Sequence, residues 1–465
     1  MNISFRLLLA FVVIAGSLVC PLLAAADSPR GPRNIVLMIG DDHGRDAGCY
    51  GHPVIKTPGM DRLAREGTRF TNAFAAVSSC SPSRSTLYTG TYNHANGMYG
   101  LAHAVHNYHS FPKMESVATA LVRAGYRTAV LGKLHVGPEK VYPFEQLPCP
   151  GGPRNVIRMA EEAGKFMADV GEKPFMLVVG FTDSHRDGKG FAHHTTYPGV
   201  NEVRYDPARV VVPPFLPDTP AVRAELAEYC QSVSRLDQGV GAVLDAIAKA
   251  GRKNDTLVIY LSDNGMPFPG AKTTLYDPGI HLPLLVSCPT QSVRGGVCNA
   301  MVSWVDVAPT ILDWAGVEQP ESMAGRSFLG ILDQENPAGW DRVFASHTFH
   351  EVTMYYPVRM VRTRRYKYLL NLAHQLEFPI AADLYNSRTW QNVLDRGQTR
   401  LGCRTVEAFL RRPREELYDL QADPDETRNL AGDPAHAETL AELRRQLRDW
   451  QQRTNDPWLI KYEHE

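Results

Sequence analysis

The chain has 465 residues, of which 44% are hydrophobic and 21% charged, and a formal net charge of −1 at pH 7. That is the composition of an ordinary globular protein, long enough for a large core and two or three domains. The near-neutral balance offers no bulk electrostatic partner such as nucleic acid, so an anionic substrate has to be recognised by local charges in a pocket.

The chain begins with Arg6 ahead of an apolar run, Leu7 to Leu23, followed by Ala24-Ala25-Ala26 and Asp27. A positive start, an apolar centre and small residues at the exit predict a secretory signal peptide over residues 1–26. Gly16, Ser17 and Pro21 interrupt the run and argue against an anchor, and Leu18-Val19 is a poor lead-in for lipidation at Cys20. No other stretch is long and apolar enough to span a bilayer. The expected setting is secreted or periplasmic, or lysosomal in a eukaryotic host. Export permits disulfides. The seven remaining cysteines, Cys49, Cys80, Cys149, Cys230, Cys288, Cys298 and Cys403, are odd in number, so at least one stays unpaired. They are scattered and form no Cys-x-x-Cys pair, which argues against a cysteine zinc site.

Asn34 to Gly40 reads as a buried strand running into Asp41-Asp42. Thr57-Pro58 through Glu66 predicts a helix with Met60, Leu63 and Ala64 on one face. A second helix is expected over Glu115–Ala124, followed by a strand over Arg127–Leu131 and another over Pro174–Phe181. Thr219 then caps a long helix that starts at Pro220 and runs to about Ala250. Thr256–Leu261 is a strand leading into Ser262-Asp263-Asn264-Gly265, and Leu282–Ser287 is one more. Strands alternating with helices predict an α/β domain over residues 31–340, with a mostly parallel central sheet flanked by helices and function at the carboxyl ends of its strands. After residue 340, aromatic and basic segments such as Tyr366–Leu370 alternate with turns. Leu440, Leu443, Leu447 and Trp450 share one face of a closing helix. Residues 341–465 are expected to form a smaller α+β domain with an antiparallel sheet and that terminal helix.

Asp41 and Asp42 follow one strand, and Asp263 and Asn264 follow another. Four oxygen donors from two strand ends suit a hard divalent cation, with Ca2+ favoured over Mg2+ when most ligands come from protein. Either pair alone would be read as a turn or a helix cap.

The segment Cys80-Ser81-Pro82-Ser83-Arg84, followed by Leu87-Tyr88-Thr89-Gly90, resembles the signature of the type I sulfatases. So do Gly132-Lys133-Leu134-His135, Asp183-Ser184-His185 and Ser262–Gly265, and Glu416–Leu420 with Asp423-Pro424 resembles the family's C-terminal element. The resemblance implies an alkaline-phosphatase-like fold. It also implies that Cys80 is oxidised to formylglycine by a formylglycine-generating maturase. One hydroxyl of the aldehyde hydrate then attacks sulfur, and deprotonation of the other releases sulfate. Asp41, Asp42, Asp263, Asn264 and the modified Cys80 would hold the cation. Arg84 would hold the nucleophile, Lys133 and Lys272 would contact sulfo oxygens, His135 would act as base and His185 as proton donor to the leaving group.

Val77–Arg84, Asn96–Leu101, His135–Glu139, Asn254–Ile259, His350–Met354 and Asp456-Pro457-Trp458 resemble the sulfamidase branch, which acts on the N-sulfate of non-reducing-end glucosamine in sulfated glycans such as heparan sulfate. On that reading Asp183, His350 and Glu351 contact substrate. Two departures stand out: Lys272 occupies a place where that branch carries arginine, and Asp187 a place where it carries cysteine. An O-sulfatase on another polysaccharide, a phosphoryl-transfer relative and a non-catalytic glycan binder stay open as alternatives, as does a homodimer.

Overall fold

The computed structural model describes residues 33–188 and 190–460; the leader expected over 1–26 lies outside the described residues. β1 (Asn34–Gly40) is buried at every position, as a central strand covered on both faces requires. Its side chains alternate between two cores. Ile35, Leu37 and Ile39 join one apolar cluster, and Val36 and Met38 join the other.

The remaining strands of the main sheet are β2 (Thr68–Phe74), β3 (Arg127–Gly132), β4 (Glu145–Leu147), β5 (Phe175–Gly180), β6 (Thr256–Ser262), β7 (His281–Ser287) and β8 (Gly296–Ser303). They lie in the order β4-β3-β5-β1-β6-β7-β2-β8. Every pairing is parallel except the two made by β7, which runs against β6 and β2. Four neighbouring parallel strands, β3-β5-β1-β6, therefore end on one edge of the sheet.

Helices cover both faces. On one side α1 (Pro58–Glu66), α4 (Val156–Asp169) and α5 (Pro220–Lys249) supply Leu63, Met159, Phe166 and Val240 to a common core. On the other, α2 (Cys80–Thr89), α3 (Val117–Arg123) and α6 (Val307–Ala315) supply Leu87, Leu121 and Ile311. α3 is shorter than the expected Glu115–Ala124, because Ser116 closes a capping box with Thr119 and starts the helix there.

Beyond the main sheet, β9 (Arg342–His347), β10 (Val358–Thr363), β11 (Tyr366–Asn371) and β12 (Glu415–Asp419) form an antiparallel sheet in the order β12-β11-β10-β9. α7 (Ala437–Arg453) lays Leu440, Leu443, Leu447 and Trp450 against Val361, Tyr368 and Leu417. Trp450 stacks on Phe344 with ring centroids 5.1 Å apart. Among the described residues no helix is long and apolar enough to cross a membrane, and all seven cysteines from Cys49 onward are unpaired.

Candidate active site

The edge where β3, β5, β1 and β6 end collects the polar residues. Asp41 and Asp42 follow β1, Lys133 follows β3, Asp183 and His185 follow β5, and Asp263 and Asn264 follow β6. Consecutive residues of a continuing strand point to opposite faces. At Asp42 φ is +58°, which breaks that alternation and lets both carboxylates serve one centre.

α2 enters this edge from the side. Cys80 is its first residue and Arg84 lies one turn on, so the two share a helix face. The Cys80 thiol is 3.7 Å from Asp42 Oδ1. Arg84 is fully buried. Its Nε donates to Asp263 Oδ2 at 2.9 Å and its Nη1 to the Lys133 carbonyl at 2.8 Å, while Nη2 lies 3.5 Å from Asp41 Oδ1. Lys133 Nζ donates to Asp41 Oδ2 at 2.5 Å. Asp263 Oδ1 accepts from the amides of Asp42 and Asn264, and Asn264 Nδ2 donates to Asp42 Oδ1 at 2.7 Å.

These contacts leave two buried oxygens, Asp41 Oδ1 and Asn264 Oδ1, without a hydrogen bond, and buried polar atoms are rarely left so. Three carboxylates crowd here. Burial, and then the Asp41 charge, push the Asp263 carboxyl up to about 7. Burial acts on Asp41 in the same sense, but Lys133, His185 and Arg84 outweigh it and hold Asp41 well below the usual carboxylate range. Unsatisfied oxygens in an all-oxygen protein donor set fit a hard divalent cation. The Cys80 sulfur lies among them, with ligand atoms of Asp41, Cys80 and Asp263 all within 4.8 Å of one another. Burial pushes the thiol well above its ordinary pKa against the pull of Lys133, so as a thiol it is protonated at neutral pH.

Lys272 is 1% exposed on its side chain. Its ammonium donates to Asp42 Oδ2 at 2.8 Å and Asp383 Oδ2 at 2.7 Å, and lies 3.4 Å from His185 Nε2. His185 Nδ1 faces the Arg186 carbonyl at 2.8 Å, so Nδ1 is the donor and Nε2 the nitrogen turned towards Lys272. Burial and the Lys272 charge lower the pKa of His185. His135 is lowered well below its ordinary value by burial, Lys133 and Arg84. Its Nε2 meets His103 Nδ1 at 2.5 Å.

The three residues expected to contact substrate are placed differently from one another. His350 is buried, with Nδ1 2.8 Å from the hydroxyl of Ser79, the N-cap of α2. Asp183 is a framework anchor instead of a substrate ligand: its fully buried carboxylate accepts from Arg235 Nε at 2.5 Å and Nη2 at 2.7 Å and also pairs with Arg154. Glu351 accepts the Ala382 amide at 2.8 Å and so holds a turn. Asp383, which follows that amide, and His103 are the site neighbours that pattern reading misses. Asp383 lies in Pro379-Ile380-Ala381-Ala382-Asp383-Leu384 and His103 in Leu101-Ala102-His103-Ala104, neither with a spacing that marks chemistry.

A buried cysteine at a helix start, with Arg, two Lys and two His around it and the unsatisfied oxygens of Asp41 and Asn264 beside it, is the arrangement expected of the sulfatase class. The sulfatase family model matches residues 33–317, and the chain belongs to that family of hydrolases. A second family model, the C-terminal region of N-sulphoglucosamine sulphohydrolase, matches residues 271–400. The chain is 44% identical to the human N-sulphoglucosamine sulphohydrolase, over 95% of this chain and 94% of that one. It is 30% identical to an ulvan-active sulfatase of Formosa agariphila, covering 91% of this chain and 80% of the relative.

Among solved structures, a protein in complex with its substrate D-glucosamine-2-N,6-O-disulfate superposes with a TM-score of 0.68 at 21% identity, covering 91% of this chain and 98% of that one. A phosphonate monoester hydrolase from Silicibacter pomeroyi gives 0.66 at 19% identity, with 91% and 96% covered. The expected alkaline-phosphatase-like architecture, a mostly parallel sheet with a small antiparallel C-terminal region, is the one observed.

Proposed function

We propose that this protein hydrolyses the N-sulfate of non-reducing-end glucosamine in a sulfated glycan, with formylglycine made from Cys80 as nucleophile and one Ca2+ in the oxygen cage. The observation that carries the reading is the position of Cys80. It is a 1%-exposed thiol placed 3.7 Å from the Asp42 carboxylate and one helical turn from the buried Arg84. The 44% identity to a sulphohydrolase over nearly the whole chain supports the choice of substrate. The apolar leader expected over residues 1–26 supports export to a secreted or periplasmic setting.

The sulfo group is anionic, so its attack needs neutralised oxygens and a nucleophile held in line. When bound, the cation polarises the sulfo oxygens and the aldehyde hydrate supplies the attacking hydroxyl. The remaining work falls to side chains in place. Arg84 ties Asp263 to the Lys133 carbonyl and so locks the loops after β6 and β3 together. Lys133 and Lys272 are the cations within reach of the sulfo oxygens. His135, kept neutral by its surroundings, takes a proton. His185 presents Nε2 on the leaving-group side; an amine leaves only when protonated, and Nε2, held neutral by burial and Lys272, takes up the proton it delivers once Lys272 turns from it to the sulfo group.

The test is sulfate release from N-sulfo-glucosamine against 6-O-sulfo-glucosamine, with mass spectrometry of the Cys80 peptide. Expected are an aldehyde at position 80 and faster N-sulfate cleavage. A preference for the O-sulfate overturns the substrate assignment, and an unmodified thiol in active protein overturns the nucleophile.

A further inference from the structure

Lys272 is held by three contacts, and one of them comes from 111 residues further along the chain. A lysine ammonium is a point charge on a flexible stem with three donors, unlike the planar fork of arginine. It keeps one place only if its donors are tied down. Here all three are directed at acceptors: Asp42 Oδ2 at 2.8 Å, Asp383 Oδ2 at 2.7 Å and His185 Nε2 at 3.4 Å. Asp42 belongs to the oxygen cage and His185 to the leaving group, so neither is a dedicated anchor. Asp383 makes its one ion pair among the described residues with Lys272, and its charge is also felt by His185 and His350. Its other oxygen, Oδ1, accepts the Leu384 amide at 2.9 Å, which sets the rotamer and leaves Oδ2 for the ammonium. The turn that carries it is pinned by Glu351, through the Ala382 amide.

We infer that Asp383 is the positioning residue for Lys272, and that Glu351 acts behind it by fixing the turn, an assignment that rests on the sulfohydrolase reading above. When a sulfo group arrives, Lys272 turns a donor to it by releasing His185 or Asp42, and the Asp383 contact is the pivot that stays. Asp383 is 21% exposed on its side chain, so it stands at the rim of the site and not in the core. Its loss has two opposed consequences. The ammonium is no longer aimed, which slows turnover. A negative charge is also removed beside an anion site, which strengthens the hold on a sulfo group or on inorganic sulfate.

The test compares Asp383→Asn, Asp383→Glu and Glu351→Ala with the wild type as mature, cation-loaded enzymes. It reads kcat and KM on N-sulfo-glucosamine and on an aryl sulfate, the inhibition constant of inorganic sulfate, and Tm. For Asp383→Asn the expectation is a kcat lower by about ten- to a hundredfold, with sulfate inhibiting at least as tightly as in the wild type. Asp383→Glu recovers part of kcat, and Glu351→Ala shifts the same two readings in the same directions by less. If Asp383→Asn does not fold, the other two variants decide the question. An unchanged kcat overturns the inference. So does sulfate binding that weakens in step with kcat, since that is the mark of a generally damaged site. A wild type active on either sulfo compound keeps those outcomes separate from the hydrolase reading; a wild type inert on both overturns the two together.

Discussion

Arg84→Met removes the one guanidinium that faces two metal-site carboxylates while keeping the length of the side chain. Asp41 retains Lys133 at 2.5 Å, but Asp263 loses its one ion-pair partner among the described residues and is left buried with two backbone amides and the more distant Lys133 charge. Breaking a fully buried pair from one side costs about 3–5 kcal/mol. The folded unit, Pro32–Glu465, carries a melting entropy of roughly 0.9 kcal/mol/K at about 2.1 cal/mol/K per residue, so Tm should fall by about 3–6 °C in chelator. The deficit has a definite pH slope. Burial and Asp41 already push Asp263 up to about 7. A carboxyl raised in the folded state favours folding at low pH and loses that contribution as pH rises through its folded value. Without Arg84 the folded value rises further, so the difference from wild type widens between pH 6 and pH 8. Added Ca2+ replaces the missing positive charge and should raise Tm more in the variant than in the wild type. Scanning calorimetry across pH, with chelator and with Ca2+, reads all three effects. A Tm within 1 °C of wild type in chelator, or an equal Ca2+ gain in both proteins, would refute the placement of Arg84 as the counter-charge of the cage.

Three further outcomes follow from buried contacts. Gly180→Ala places a Cβ 2.1 Å from the Lys133 carbonyl, so it should cost about 1–3 kcal/mol and displace Lys133, lowering kcat together with Tm; a fully active variant contradicts the close approach of the two chains where the β3–β5 pairing ends. Glu225, fully buried, accepts from Arg186 Nη1 at 2.5 Å and from the Arg388 and Thr389 amides, so Glu225→Ala should cost about 3–5 kcal/mol and expose the chain near Arg388 to limited proteolysis. Asp456 is raised by burial but held below the carboxylate range by the two-pronged Arg359 contact at 2.6 and 2.9 Å. That stability is present above about pH 4 and lost as pH falls, so Asp456→Asn should flatten the acid limb of an unfolding titration and lower Tm at pH 7.

The strands were legible because their apolar runs are continuous, and those of β1, β5 and β6 lead into carboxylates: β1, β3, β5, β6 and β7 lie within a residue or two of where periodicity puts them. α2 was not, although it carries the clearest motif in the chain. All ten of its residues are buried, so it has no polar face and no period. Three of its hydroxyls bond locally, Ser85 to the Pro82 carbonyl, Thr86 to that of Ser83 and Thr89 to that of Ser85, all at 2.7 Å. The cage residues Asp41, Asp42, Asp263 and Asn264 could be named from strand ends alone. Asp183 lies in an equally marked motif yet is spent on Arg154 and Arg235, because a motif gives position along the chain and not the direction of a side chain. Asp383 and His103 reach the site only through tertiary packing, for which their own segments hold no signal.

The burial of α2 also bears on time. Cys80 is 1% exposed at the start of a helix with no exposed residue. A second enzyme that oxidises its side chain cannot reach it in the finished fold. On the proposed chemistry, maturation must therefore take place while the Cys80–Arg84 segment is still extended, before β6 brings Asp263 against Arg84. The window closes with folding, and the fraction of active molecules is then decided by a race between the maturase and the sheet. On the same reading, chain that missed the maturase stays inert once the sheet has closed.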